Sequence, residues 1–217
     1  MSIFLSIGTG PGMGIATARR FAQEGFRVIL SARNEGRVQA LADGLKAEGF
    51  DAEALVVDAS NTAAVAKLVA EVEEHYGPID VQHYNAANLR KSDIAAQPTD
   101  TFVPDLAVNI GGALAATQAI LPAMAKRTAG TILHTGGGFA LYPSPDFLSL
   151  SIGKAGIRAL VLGLFESAKA QGVHIGTVTV AANVAPDSKE ADAVAEHFWK
   201  LHSQPVGAWK AEANYSA

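Results

Sequence analysis

"IGTGPGMGIA", residues 7–16, is the stretch whose reading decides the fold. Gly8, Gly10, Gly12 and Gly14 fall on alternate positions between an apolar run, "SIFLSI" (2–7), and a helical pattern, "GIATARRFAQEG" (14–25), closed by glycine. Glycines remove side chains where a turn must pass close to a pyrophosphate. The start of a helix offers free N–H groups and the positive end of its dipole to the same group. A strand, a glycine-rich turn containing Met13 and a helix, in that order, predict a dinucleotide cradle rather than a bare tight turn.

Outward from this turn, short β-branched runs alternate with longer helical patterns, the signature of a parallel α/β sheet. "RVILSA" (27–32), "AEALVVD" (52–58), "DVQHY" (80–84), "GTILHT" (130–135) and "IGTVTV" (175–180) read as further strands, and "AWKAEANYS" (208–216) as a seventh, edge strand. Asn34 and Asn61 stand where helix N-caps belong. Two long helices are expected, from about Thr101 to Lys126 and from about Ser149 to Gln171, with a last one over 190–202. The expectation is one α/β domain over residues 1–217, a doubly wound parallel sheet of about seven strands with helices on both faces. No linker, low-complexity segment or larger repeat divides the chain.

Bulk properties narrow the function classes. The chain has 217 residues, 49% hydrophobic and 18% charged, with net charge −4 and no block of Lys or Arg. This recommends neither a nucleic acid nor an anionic membrane as partner. With no cysteines, disulfide scaffolds and thiolate metal sites are excluded, and no metal is expected. The opening "MSIFLSIGTG" lacks the basic segment and cleavage site of a signal peptide, and no apolar run reads as long enough to span a membrane. A cytoplasmic location is the expectation.

The end of the second strand bears on which dinucleotide is bound. An acid there usually holds the ribose 2′-hydroxyl of NAD, whereas a cation suits the 2′-phosphate of NADP. "LSARN" has no acid and places Arg33 after a small Ser31-Ala32 pair, so NADP(H) is favoured over NAD(H).

Together, "LSARNEGRVQAL", "VVDAS", "GPIDVQHYNAA", "LAVNIGGALAATQAILPAM" and "SIGKAGIRAL" make the chain resemble the short-chain dehydrogenase/reductase family from the first strand to about residue 184. The resemblance implies a Rossmann fold with cofactor contacts at Gly8, Gly10, Gly12, Met13, Gly14, Arg33, Asp58, Ala59, Asn85, Ala86, Lys154 and Val184. "YNAA" (84–87) stands where the family has Asn-Asn-Ala-Gly, keeping Asn85 and Ala86 but departing at Tyr84 and Ala87. The family's catalytic set is Asn, Ser, Tyr and Lys, with tyrosine as general acid/base and serine polarising the carbonyl. Lysine holds the nicotinamide ribose and lowers the tyrosine pKa. Carried onto this sequence, Asn109 and Lys154 match the asparagine and the lysine, but the tyrosine position is Leu150 and the serine position Gly137. Enoyl reductases of the family place the tyrosine seven residues before the lysine, and here that residue is Phe147. Tyr142, in the loop "ALYPSP", is the nearest remaining phenol and the candidate for a relocated acid, though its distance from the nicotinamide is not set by the sequence. Ser149 and Ser151 read as ordinary polar residues of a helix start, His134 as structural, and Asn109 equally well as a structural polar group.

Where the family has Pro-Gly after the sixth strand, this chain has Ala181-Ala182, and the substrate lid that normally follows is reduced to a few residues. Two functions are therefore expected in competition: an NADP(H)-dependent oxidoreductase of altered mechanism, or a catalytically silent NADP(H)-binding sensor or partner subunit. A purely structural subunit is disfavoured by the intact glycine turn. The family's use of its two long helices as a four-helix interface, with the small and apolar runs "GGALAATQAILPAM" and "AGIRALVLGLF", implies a homodimer or homotetramer.

Overall fold

The computed structural model describes residues 1–216. Its elements run β1 (Ile3–Ile7), α1 (Met13–Gln23), β2 (Arg27–Ala32), α2 (Glu35–Ala47), β3 (Ala52–Val56), α3 (Thr62–His75), β4 (Ile79–Tyr84), α4 (Phe102–Leu106), α5 (Gly112–Arg127), β5 (Thr131–Thr135), α6 (Leu148–Ala170), β6 (His174–Ala181), α7 (Lys189–His202) and β7 (Glu212–Ser216). The seven strands form one sheet in the order β3-β2-β1-β4-β5-β6-β7. Every neighbouring pair is parallel. The chain winds one way from β1 to β3 and the other way from β4 to β7. The turns after β1 and β4 therefore diverge and leave a crevice at the carboxyl ends of the strands.

Burial on both faces explains the near-continuous apolar strands. Leu5, Ile29 and Ile132 join α3, α5 and α6 in one core, while Phe4, Val28 and Leu133 join α1, α2 and α7 in the other. The expected caps form: Asn34 Oδ1 accepts from Arg37 N–H and Asn61 Oδ1 from Ala64 N–H.

Three expectations are corrected. The helix expected from about Thr101 to Lys126 forms as an unbroken helical run but not as a single α-helix: after α4 comes a π-helical segment, Ala107–Gly111, and only then α5. A π turn frees a carbonyl from the helical ladder, and here Tyr84 Oη donates to Val108 O at 2.6 Å. A Cβ on Gly112 would overlap both Tyr84 Oη and the Ala59 carbonyl, so the glycine is required by close approach. The seventh strand is shorter than 208–216, starting at Glu212 after the Trp209 indole N–H donates to Gln204 O and the Lys210 backbone N–H to Gln204 Oε1. Finally, two helical stretches, Thr99–Arg127 and Leu148–Ala170, are long and apolar enough to cross a membrane, contrary to the sequence reading. Asn109, Lys154 and Arg158 interrupt the apolar runs without making the helices polar on average. One side of each packs on the sheet, and the other leaves Leu114, Ile152 and Leu162 exposed.

The core carries histidines that must stay neutral. Burial, assisted by the Lys154 charge, depresses His83 and His134 to about 3, and burial depresses His202 to about 4. A histidine whose folded pKa lies below its ordinary 6.5 stabilises the fold fully above that pH and loses the contribution as pH falls. Thermal denaturation is expected to give a Tm that falls only slightly from pH 8 to 7, where the unfolded chain holds somewhat more protons on Lys154 and the histidines than the folded one, and steeply below pH 6.5. His83 and His134 should each cost about 2–3 kcal/mol by pH 4.5. A Tm unchanged from pH 7 to 4.5 would contradict this burial.

Candidate functional site

A cavity of about 850 Å³ opens at the carboxyl ends of the strands, across the crevice between β1 and β4. The turn after β1 forms its middle. Gly8 has φ +84° and its N–H, like that of Thr9, bonds to Ser31 O at 2.8 and 2.9 Å. A Cβ on Gly8 would overlap the Ala86 backbone, and one on Gly14 would sit 3.0 Å from Thr9 Cα and 3.1 Å from Asn85 Nδ2. Those two glycines serve the protein's own packing. Gly10 differs: a side chain there would meet nothing within 4 Å, and at Gly12 the nearest atom lies at 3.9 Å. No side chain caps α1, so its first N–H groups are left for an anion.

Polar side chains brace this turn from behind. His83 Nε2 lies 2.9 Å from Thr135 Oγ1, which donates to Asn85 Oδ1, and Asn85 Nδ2 donates to Gly8 O. Because the threonine hydroxyl donates forward, it accepts from His83. That fixes the neutral imidazole with its hydrogen on Nε2.

Beyond β2 the cavity is lined by Arg33, which is exposed and forms no ion pair among the described residues. Asp58, also lining it, accepts from the backbone N–H and hydroxyl of Ser60 through Oδ1. Those bonds, with the Arg33 charge, hold its carboxyl below the usual range.

At the opposite end lie Gly137, Tyr142, Phe147, Leu150 and Lys154. Lys154 is buried, and its Nζ donates to Thr135 O at 2.6 Å. Burial pushes its pKa down to about 8. A Cβ on Gly137 would lie 3.2 Å from Lys154 Cγ, so the lysine stem occupies the space beside the glycine. Phe147 stacks on Phe139 at 5.5 Å. Tyr142 sits at the mouth, 79% exposed. Ser149 and Ser151 are spent elsewhere, on Asp105 and on the Phe147 and Ser144 backbone. His134 Nε2 lies 3.2 Å from Thr117 Oγ1, away from the cavity wall.

Every site residue singled out in the sequence lines this cavity except Asn109. Asn109 is buried in the π segment, where its Oδ1 accepts from Asn88 N–H at 2.6 Å and its Nδ2 donates to Asn88 O at 3.3 Å. Both ends of its amide therefore clamp the turn after β4. That turn is held again by Asp105, fully buried, which receives bonds from Arg90, Asn88, Gln97 and Ser149. Burial opposes ionisation of Asp105, but the Arg90 guanidinium and the Ser149 and Asn88 bonds outweigh it and keep the carboxyl below its usual range. Seven residues, 182–188, join β6 to α7, so the segment expected as a reduced lid is short. The sequence reading missed Asn88, Leu89, Thr135, Phe139 and Val180 as cavity walls. Only Thr135 and Phe139 carried a signal, flanking the glycine run 136–138.

Residues 2–193 match the family model described as short chain dehydrogenase. A short chain dehydrogenase of Pseudocercospora fijiensis is 32% identical over 187 residues, which cover 85% of this chain and 59% of that protein. The chain thus spans less than two thirds of that relative's length. The 2,3-dihydro-2,3-dihydroxybenzoate dehydrogenase of Bacillus subtilis is 28% identical, covering 93% of this chain and 73% of its own. Among solved structures, a short-chain dehydrogenase from Rhodopseudomonas palustris superposes with TM-score 0.90 at 23% identity, covering 100% of this chain and 98% of its own. A gluconate 5-dehydrogenase from Burkholderia cenocepacia, solved with NADP and tartrate, gives TM-score 0.77 at 26% identity, covering 83% of this chain and 71% of its own.

Proposed function

Since this chain belongs to the short-chain dehydrogenase family, we propose that its cavity binds NADP(H) and that the protein is an NADP(H)-dependent oxidoreductase with a reduced catalytic set. The observation that carries the reading is Gly10, whose missing side chain borders open space, beside an uncapped helix start at Gly12 that faces the Val184 and Ala185 carbonyls only at van der Waals distance. A pyrophosphate fits that space by shape and by charge. Gly8, Met13, Gly14, Asn85 and Ala86 shape the cradle, Asp58 and Ala59 hold the adenine end, and Val184 closes it from the β6 side. Arg33, unpaired beyond β2, meets the 2′-phosphate, which favours NADP(H) over NAD(H). The gluconate dehydrogenase solved with NADP is consistent with this choice.

The bound dinucleotide supplies hydride chemistry. Lys154 holds it through the ammonium hydrogens left over from Thr135. The family's hydroxyl positions are filled by Gly137 and Leu150, and Asn109 serves the scaffold by clamping Asn88. Carbonyl reduction is accordingly slow, because losing a general acid removes about 10²–10⁴-fold in rate. The competing reading, a silent NADP(H)-binding sensor or partner subunit, is favoured by the same two residues and shares the same cofactor site.

Replacing Gly10 by Asp tests the cradle. The space there accepts a side chain, so Tm stays within a degree or two of wild type. A carboxylate facing the pyrophosphate weakens NADPH binding about tenfold or more. Unchanged affinity would place the dinucleotide elsewhere.

The exposed outer faces of α5 and α6, with Leu114, Ile152 and Leu162, support self-association as a dimer or tetramer. Sedimentation at micromolar concentration is expected to give at least a dimer, and a monomer would count against it.

A further inference from the structure

Lys154 is the one buried lysine or arginine among the described residues, and it takes part in no ion pair there. An ammonium has three N–H donors, and a single one is used, on Thr135 O. A buried cation without a counter-ion is costly, so the cavity wall holds a charge that any anionic oxygen formed beside it would relieve. No hydroxyl competes for that role at this end of the cavity. Leu150, Phe147 and Gly137 have none, and the Thr135 hydroxyl is committed to Asn85. Tyr142, at the cavity mouth, is 79% exposed and makes no contact with Lys154 among the hydrogen bonds of the described residues. The missing side chain at Gly137 also gives the lysine stem its room.

We propose that Lys154 is itself the proton donor of this site, acting on electron-poor aldehydes and ketones that carry an apolar or aromatic group. This rests on the reading that the cavity binds NADP(H). The carbonyl carbon accepts hydride from the reduced dinucleotide, and the carbonyl oxygen takes a proton from Nζ. The products are an alcohol, the oxidised dinucleotide and a neutral amine, which water reprotonates. The ammonium strengthens its interaction as charge develops on oxygen, which is the differential stabilisation that accelerates a step. An electron-poor carbonyl is required because no hydroxyl polarises it in advance. Phe139, Phe147, Leu150 and Leu89 form the apolar wall that receives its substituent.

The groups facing Lys154 from the sheet are His83 on β4 and His134 on β5, and both stay neutral down to about pH 3. The amine therefore titrates without a charged neighbour, depressed to about 8 by its own burial. The donor is the protonated form, so reduction is constant below that pH and falls above it.

The test uses the full chain with para-nitrobenzaldehyde and benzil as probes. Lys154→Arg keeps a cation and donors for the cofactor but cannot release a proton near neutral pH. It is expected to retain saturable NADPH binding, weakened in step with the lost lysine contact, while reduction at saturating NADPH falls by about 100-fold or more. A second, activity-independent readout is acetylation of Lys154 by acetic anhydride, followed by mass spectrometry. Labelling should rise with a midpoint near pH 8 and be suppressed by NADPH. Wild type that binds NADPH but turns over neither probe overturns the assignment, as does Lys154→Arg reducing within tenfold of wild type or a flat profile from pH 7 to 9.5. Failure of wild type to bind NADPH would instead remove the cofactor reading, and this assignment with it.

Discussion

Adding hydroxyls at the two positions proposed as the family's serine and tyrosine sites, Leu150→Tyr together with Gly137→Ser, is expected to raise NADPH-dependent carbonyl reduction by about 10²–10⁴-fold. Leu150 lies one helical turn before Lys154 and, though buried, borders the cavity, which gives a larger phenol side chain somewhere to extend. The neighbouring ammonium would lower its pKa and make it a better acid. At Gly137 the backbone is extended, with φ −165°, and the nearest atoms to a serine Cβ would be those of the flexible Lys154 stem, at 3.2–3.5 Å. That stem yields by a few tenths of an ångström. Each single replacement should give a smaller gain, because serine polarises the carbonyl while tyrosine supplies the proton. The measurement is kcat/KM on para-nitrobenzaldehyde for wild type, both singles and the double. Turnover in the double alone would favour the silent reading of the natural chain. No gain in a double variant that still binds NADPH would mean that missing hydroxyls do not limit this site.

The second large effect concerns stability. Asp105→Ala is expected to destabilise the fold by about 3–5 kcal/mol, since breaking a buried ion pair strands its partners. For a chain of this size that is a loss of roughly 10 °C in Tm. Asp105 receives Arg90 Nε at 2.7 Å and Nη2 at 3.1 Å, Ser149 Oγ at 3.0 Å and Gln97 Nε2 at 3.2 Å, together with Asn88 Nδ2. These donors come from the long connection after β4 and from the start of α6, so one carboxylate ties both to α4. Arg90→Ala should cost less, because the other donors remain and the Arg90 side chain already reaches solvent. Urea denaturation of both variants checks the order. A loss under about 1 kcal/mol for Asp105→Ala would show that the network is not a structural tie.

The contrast between these two regions explains what the sequence made legible. The glycine turn, the Asn34 and Asn61 caps and the lysine-to-leucine spacing are local patterns, and the backbone rules that govern them act within one turn of the chain. The doubly wound parallel sheet follows from alternating βα units and their handedness. Asp105 was not legible, because its partners stand at 88, 90, 97 and 149 and meet only in the folded chain. The same holds for the π segment. Its freed carbonyl is satisfied by Tyr84 from a different strand, so no helical pattern within 101–127 announces it. Asn109 was found by its motif, yet its placement behind the cavity, with its amide committed to Asn88, is a tertiary fact. Leu150 and Gly137 were found as departures, and the folded chain adds where the lysine goes when they are small or apolar: across Gly137 to Thr135 O.

Calorimetric titration of the wild-type chain with NADPH and with NADH tests most directly whether this cavity is a dinucleotide site. Saturable binding of one NADPH per chain is expected, with NADH weaker, and the preference reduced when Arg33 is replaced by Ala. Absence of saturable binding by either dinucleotide would contradict the assignment.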